Sequence, residues 1–118
     1  MYSINEVCKM LDINASTIRY YESEKLIPEL KRVNGIRVFD DKDVVLLKVV
    51  RCLKKTKMSI SEIKEFMALY SEGPSTIEKR KEIFARHREN ILTQIKELED
   101  TLDLLDLKMK ILNSDSQS

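Results

Sequence analysis

Residues 76–112 contain neither glycine nor proline, and within them one apolar stripe recurs every seven residues: Ile77, Phe84, Ile91, Leu98, Leu105 and Leu112. Ile95, Leu102 and Met109 fill the intermediate position in the later half. That spacing is a coiled-coil seam, and as a single helix the stretch would reach roughly 55 Å. In the earlier half the intermediate positions hold Lys81 and Arg88, so the seam is weaker there. A helix this long cannot bury one stripe against the small remainder of the chain. It calls for a second copy, hence a homodimer with Ile91, Ile95, Leu98, Leu102, Leu105, Met109 and Leu112 at the interface. A helix folded back on its own domain is the competing arrangement. Residues 113–118 read as a polar tail.

The chain has 118 residues, of which 35% are charged and 6% aromatic. That is thin material for one compact core and suits a helix-rich chain. Net charge is only +1, but it is unevenly spread. Residues 31–57 carry nine basic side chains against three aspartates, a local net of +6, whereas residues 71–118 carry eight basic against ten acidic. A basic block on one part only points to an anionic partner there. No apolar run would span a membrane and no export signal opens the chain, so Cys8 and Cys52 read as reduced cytoplasmic thiols. With His87 as the single histidine, a metal site of ordinary ligand count is not expected, and no cofactor is implied.

The N-terminal part is punctuated by helix signals. Ser3 and Glu6 have capping-box spacing, and Ile4, Val7, Cys8 and Leu11 follow with helical periodicity, predicting a helix at 4–11. Asn14 suits the N-cap of a second helix over about 15–25, making a helix-turn-helix. On that second helix Ile18 and Tyr21 share one side, while Ser16, Arg19, Tyr20 and Ser23 fall on the other. An outward Arg-Tyr pair among small hydroxyl residues suits DNA, where guanidinium and phenol bond phosphates and base edges. The same pair lying over a solvated face is the plainer alternative.

Asn34-Gly35 between short runs predicts a two-residue hairpin. In that register Leu30 faces Phe39 and Arg32 faces Arg37. Two arginines opposite each other repel unless an anion lies between them, which points to a wing that grips phosphate; arginines resting in water would be the alternative. Beyond the aspartates at 40–43, a third helix runs to about Lys55. Leu46, Val49, Val50 and Leu53 form its apolar stripe, and Lys48, Arg51 and Lys55 a basic one. Ser59 and Glu62 open a fourth helix with Ile63, Phe66, Met67 and Tyr70. The run SEGPS at 71–75 is the clearest boundary in the chain. The segments are therefore a domain at 1–70, a hinge at 71–75, the dimerisation helix at 76–112 and the tail.

These residues resemble the MerR family of bacterial transcription regulators over nearly the whole chain. SINEVCKMLDINASTIRYYESEKLI is similar to the family's helix-turn-helix, with its Arg-aromatic-Tyr-Glu hallmark. NGIRVFDDKDVVLLKVVRCLKKTKMSISEI resembles the first wing, third helix and second wing, except that Ile36 stands where an aromatic is usual. The resemblance implies a mostly α-helical winged helix-turn-helix with a small β-hairpin, dimerised through an antiparallel coiled coil. It further implies a palindromic double-stranded DNA operator, contacted by Ser16, Thr17, Arg19 and Tyr20 on the recognition helix and by Arg32 and Arg37 on the wing. Lys48, Arg51 and Lys55 would add phosphate contacts. RNA polymerase is the implied further partner, at promoters with over-long spacers that the activated regulator bends and untwists.

No cysteine follows Cys52, where metal-sensing members carry theirs, and no large effector domain follows the helix. VVRCLKK with ALYSEGPSTIEKRKEIF is instead similar to the short AdhR/NmlR-like, aldehyde-responsive branch, a stress-response class with a cysteine at this place. Cys52 would then be the sensor thiol, since basic neighbours favour the nucleophilic thiolate. Half-buried packing is the alternative for Cys52, and Cys8 reads as an inert core residue. A regulator without a thiol sensor, or an architectural, excisionase-like DNA protein, remain the competing functions. No enzymatic activity is expected, because Cys52 has no candidate base beside it.

Overall fold

The structure, a computed structural model, describes residues 1–117, so Ser118 of the expected tail lies outside the described residues. The elements in chain order are α1 (Ile4–Leu11), α2 (Ala15–Ser23), β1 (Lys31–Val33), β2 (Ile36–Val38), α3 (Asp41–Lys55), α4 (Ile60–Glu72), a short 3-10 turn (Pro74–Thr76) and α5 (Ile77–Gln117). The chain divides into two units, Met1–Arg80 and the residues from Lys81 onward.

In the first unit each helix begins where local chemistry dictates. Ser3 and Glu6 close a reciprocal capping box on α1, and Ser59 and Glu62 close another on α4. Asn14 caps α2 by accepting from the Thr17 N–H at 2.8 Å. On α3 the box is built from two aspartates, Asp40 and Asp43. The Asp43 N–H bond outweighs desolvation and holds the Asp40 carboxyl below its usual range, whereas burial pushes Asp43 up.

The second helix stops earlier than its composition suggests, at Ser23 rather than near 25. Lys25 takes a left-handed conformation, φ 61°, and the Leu26 N–H reaches back to the Tyr21 carbonyl while the Lys25 N–H reaches Glu22. This is a Schellman stop with lysine in the place glycine usually holds, so the sequence carries no glycine to announce it.

β1 and β2 form an antiparallel hairpin in which Arg32 faces Arg37. Both turn residues have positive φ, Asn34 at 51° and Gly35 at 78°, as a type I′ turn requires. The expected Leu30–Phe39 pair does not form: Phe39 exchanges backbone bonds with Tyr2, at 2.7 and 2.9 Å.

Val7, Leu11, Ile18, Tyr21, Leu26, Leu30, Phe39, Leu47, Val50, Met58 and Ile63 make the core. The buried stripe of α3 is Val44, Leu47, Val50 and Leu53, one step around from the expected face. Leu46 is only half-buried because it borders an open cavity, and Val49 is half-buried too. Cys8 is half-buried rather than a core residue. Beside the expected hinge the chain makes a bonded corner. Thr76 is buried, its hydroxyl bonding the Leu69 and Gly73 carbonyls, and Arg80 lies 5.4 Å from the Tyr70 ring centre.

In the second unit α5 is continuous helix. The element has 41 residues, about 60 Å, and runs through 113–117, where a polar tail is expected. Its stripe positions from Ile95 to Leu112 are between 47% and 66% exposed, and Ile91 is half-buried. No helix among the described residues is long and apolar enough to cross a membrane.

Candidate nucleic-acid interface

The outward face of α2 is set by two buried side chains. Ile18 and Tyr21 anchor the helix, and burial pushes the Tyr21 phenol up from its ordinary pKa. Ser16, Arg19, Tyr20 and Ser23 are exposed on the opposite side, with Tyr20 46% exposed. Adjacent tyrosines thus divide the work, one packing and one facing outward, their rings 6.4 Å apart and tilted. At the start of the helix the Ser16 and Thr17 hydroxyls both donate to Asn14 Oδ1, at 2.7 and 2.8 Å. With those protons committed, the two hydroxyl oxygens are left to accept further bonds.

The anion between the two wing arginines is a side chain of this protein, Glu22. Its Oε1 accepts from Arg37 Nε at 2.8 Å and lies 3.5 Å from Arg32 Nη2. Its Oε2 accepts from the Leu30 N–H at 2.7 Å. Only 9% of this side chain is exposed. Burial alone would raise its pKa; the Leu30 N–H and the two guanidiniums overcome that and hold the carboxyl below the usual range. A carboxyl depressed in the folded state contributes stability that is complete above its unfolded value, about 4.3, and is lost as pH falls through the lower folded value. The melting temperature of wild type should therefore fall more steeply than that of Glu22→Gln between about pH 5 and 3. Parallel melting curves across that range would show the carboxylate to be inconsequential.

The expected basic stripe on α3 is broken. Lys48 and Lys55 are exposed, but Arg51 turns inward, and its Nη1 donates to the Leu11 carbonyl at the end of α1. A cation at a helix C-terminus satisfies an orphan carbonyl and complements the dipole. Arg51 is thus a strut between α3 and α1 rather than a free phosphate contact. Cys52, next to it, is exposed. An open cavity of about 730 Å³ lies beside α2 and the wing, where Arg19, Lys25, Arg32, Arg37 and Lys64 outnumber Glu22 and Glu29. The basic character of this face therefore comes from four different elements and a loop. Among the described residues no group of His, Cys, Asp and Glu side chains is placed to hold a metal ion.

The family model described as MerR HTH family regulatory protein matches residues 2–69. The chain belongs to the MerR family. A second model of that family, described as MerR, DNA binding, matches residues 44–107 and so takes in most of α3, α4 and most of α5. Among MerR relatives, an HTH-type transcriptional regulator of Haemophilus influenzae is 38% identical over 92% of this chain and 81% of its own length. The transcriptional regulator AdhR of Bacillus subtilis is 37% identical over 76% of this chain and 65% of its own. The crystal structure of HiNmlR, a MerR family regulator lacking the sensor domain and bound to promoter DNA, superposes with a TM-score of 0.64 at 38% identity, covering 92% of this chain and 86% of that one. This protein is accordingly a MerR-family DNA-binding transcriptional regulator, similar to AdhR and to HiNmlR.

Proposed function

We propose that the protein works as a homodimer on a palindromic promoter operator, in the cytoplasm and together with RNA polymerase, and that an electrophile sensed at Cys52 changes its action on promoter geometry. One observation carries the dimer: the whole stripe from Ile95 to Leu112 faces solvent in the single chain. A regularly spaced apolar stripe of that length is covered by a second copy. Two-fold symmetry in the protein then demands a palindrome, with recognition helices one helical turn of DNA apart. On each head Ser16, Thr17, Arg19 and Tyr20 meet base edges and phosphates, with Arg32, Lys48 and Lys55 on the flanking backbone.

The thiol reading is supported by the exposure of Cys52 on α3 and by the overall similarity of the chain to AdhR. An aldehyde meets the sulfur at its carbonyl carbon. The S–C bond forms as the C=O π bond opens, and the oxygen takes up a proton to give a hemithioacetal. The adduct enlarges a residue flanked by Arg51, the strut to α1, so a small shift of α3 would reach the recognition head. The expected result is that Cys52→Ser abolishes aldehyde induction of a promoter reporter while leaving operator binding in place. Mass spectrometry after thiol alkylation should find Cys52 modified ahead of Cys8. A Cys52→Ser strain that still responds fully would remove the sensor role and leave the dimeric regulator standing.

A further inference from the structure

Arg32 and Arg37 are the obvious wing cations for DNA phosphates, yet the structure commits them elsewhere. Glu22 comes from the last turn of the recognition helix, and the two arginines come from opposite strands of the wing. The carboxylate uses one oxygen for Arg37 and Arg32 and the other for the Leu30 N–H. Leu30 is buried, so swinging Glu22 away would strand a buried donor. Arg37 is the more committed arginine, its side chain 24% exposed against 40% for Arg32. A phosphate approaching Arg37 would have to displace a charge-assisted bond while closing on a carboxylate of its own sign. Arg32, farther from Glu22 and more exposed, keeps donors to spare.

We propose that Glu22 is an internal anion that withholds Arg37 from DNA phosphates while it pins the wing to the recognition helix. Glu22 is thereby a positioning and specificity-determining residue. Sequence-independent affinity grows with the number of phosphates neutralised, and so does its dependence on salt. Occupying one arginine per head internally lowers that background. The same bonds fix the angle at which Arg19, Tyr20 and the wing meet a particular site. Specificity is a ratio, and suppressing the wrong targets raises it as effectively as improving the right one. The inference rests on the DNA-binding assignment but on neither the thiol sensor nor the effector.

The test uses the full-length chain and mixed-sequence duplex DNA, titrated over a range of salt concentrations. Glu22→Gln keeps an acceptor for the Leu30 N–H and removes the charge. Its mixed-sequence affinity is expected to rise several-fold at low salt, with the slope of log K against log salt steepening by about one unit per head. Its preference for the tightest duplex that wild type selects from random DNA should fall. Adding Arg37→Gln should return the slope to the wild-type value, and Arg37→Gln alone should leave that slope unchanged. A purely structural Glu22 would lower the melting temperature and weaken all DNA binding with no steepening, and that result overturns the proposal. So does an Arg37→Gln variant whose slope is shallower by about one unit per head, because Arg37 would then be a phosphate contact after all. Should Glu22→Gln fail to fold, the Arg37→Gln slope decides alone. A wild type without salt-dependent DNA affinity would instead contradict the DNA-binding assignment itself.

Discussion

Leu98→Lys combined with Leu105→Lys should turn the protein into a monomer that binds its operator ~100-fold more weakly or worse, the usual scale of lost bivalency. Both leucines lie more than half exposed on α5, so nothing in the single chain holds them. In a paired seam each would be worth about 1.5–3 kcal/mol of burial. Lysine at the same place removes that gain and forces an unpaired ammonium into an apolar layer. The winged unit, Met1–Arg80, has its own core and should keep its melting transition. Analytical ultracentrifugation of wild type and variant reads the first half of the expectation, and a gel-shift titration the second. A monomeric wild type, or a variant that stays dimeric, would refute the assignment of the seam.

Tyr21→Ala and Arg19→Ala, two positions apart in the sequence, should fail in opposite ways. Tyr21 is buried against the helix-turn-helix core, and truncating a large aromatic there is expected to cost about 3 kcal/mol of stability through the cavity it leaves. Arg19 is exposed on the recognition face, and its loss should weaken operator binding by about 1–3 kcal/mol with the melting curve unchanged. The pair is informative because a measurement of DNA affinity alone would confuse them. Melting curves taken beside each titration separate a damaged fold from a missing contact. Arg19→Ala with full operator affinity would remove this face from the interface. Arg37 is not used for this comparison, since its guanidinium is already committed to Glu22.

The sequence by itself determined every feature whose cause lies within a few residues. Helix starts at Ser3, Asn14, Asp40 and Ser59 are side chains bonding a backbone N–H three residues on, so they are written in the local order. The Asn34-Gly35 turn determined the hairpin register, because only that register joins the strands through a type I′ turn. Helical periodicity separated Tyr21 from Tyr20 and marked out the stripe of α5. The family resemblance, carried by Arg19–Glu22 and the wing, stands on the same local patterns. Tertiary structure decided where the charges go. Arg51 finds the Leu11 carbonyl 40 positions earlier, and Arg37 finds Glu22 15 positions earlier. Phe39 likewise exchanges backbone bonds with Tyr2, 37 positions earlier, a bridge no local pattern announces. A one-dimensional pattern shows that a guanidinium needs an anion or a carbonyl, but only the folded chain decides which one arrives within hydrogen-bond distance.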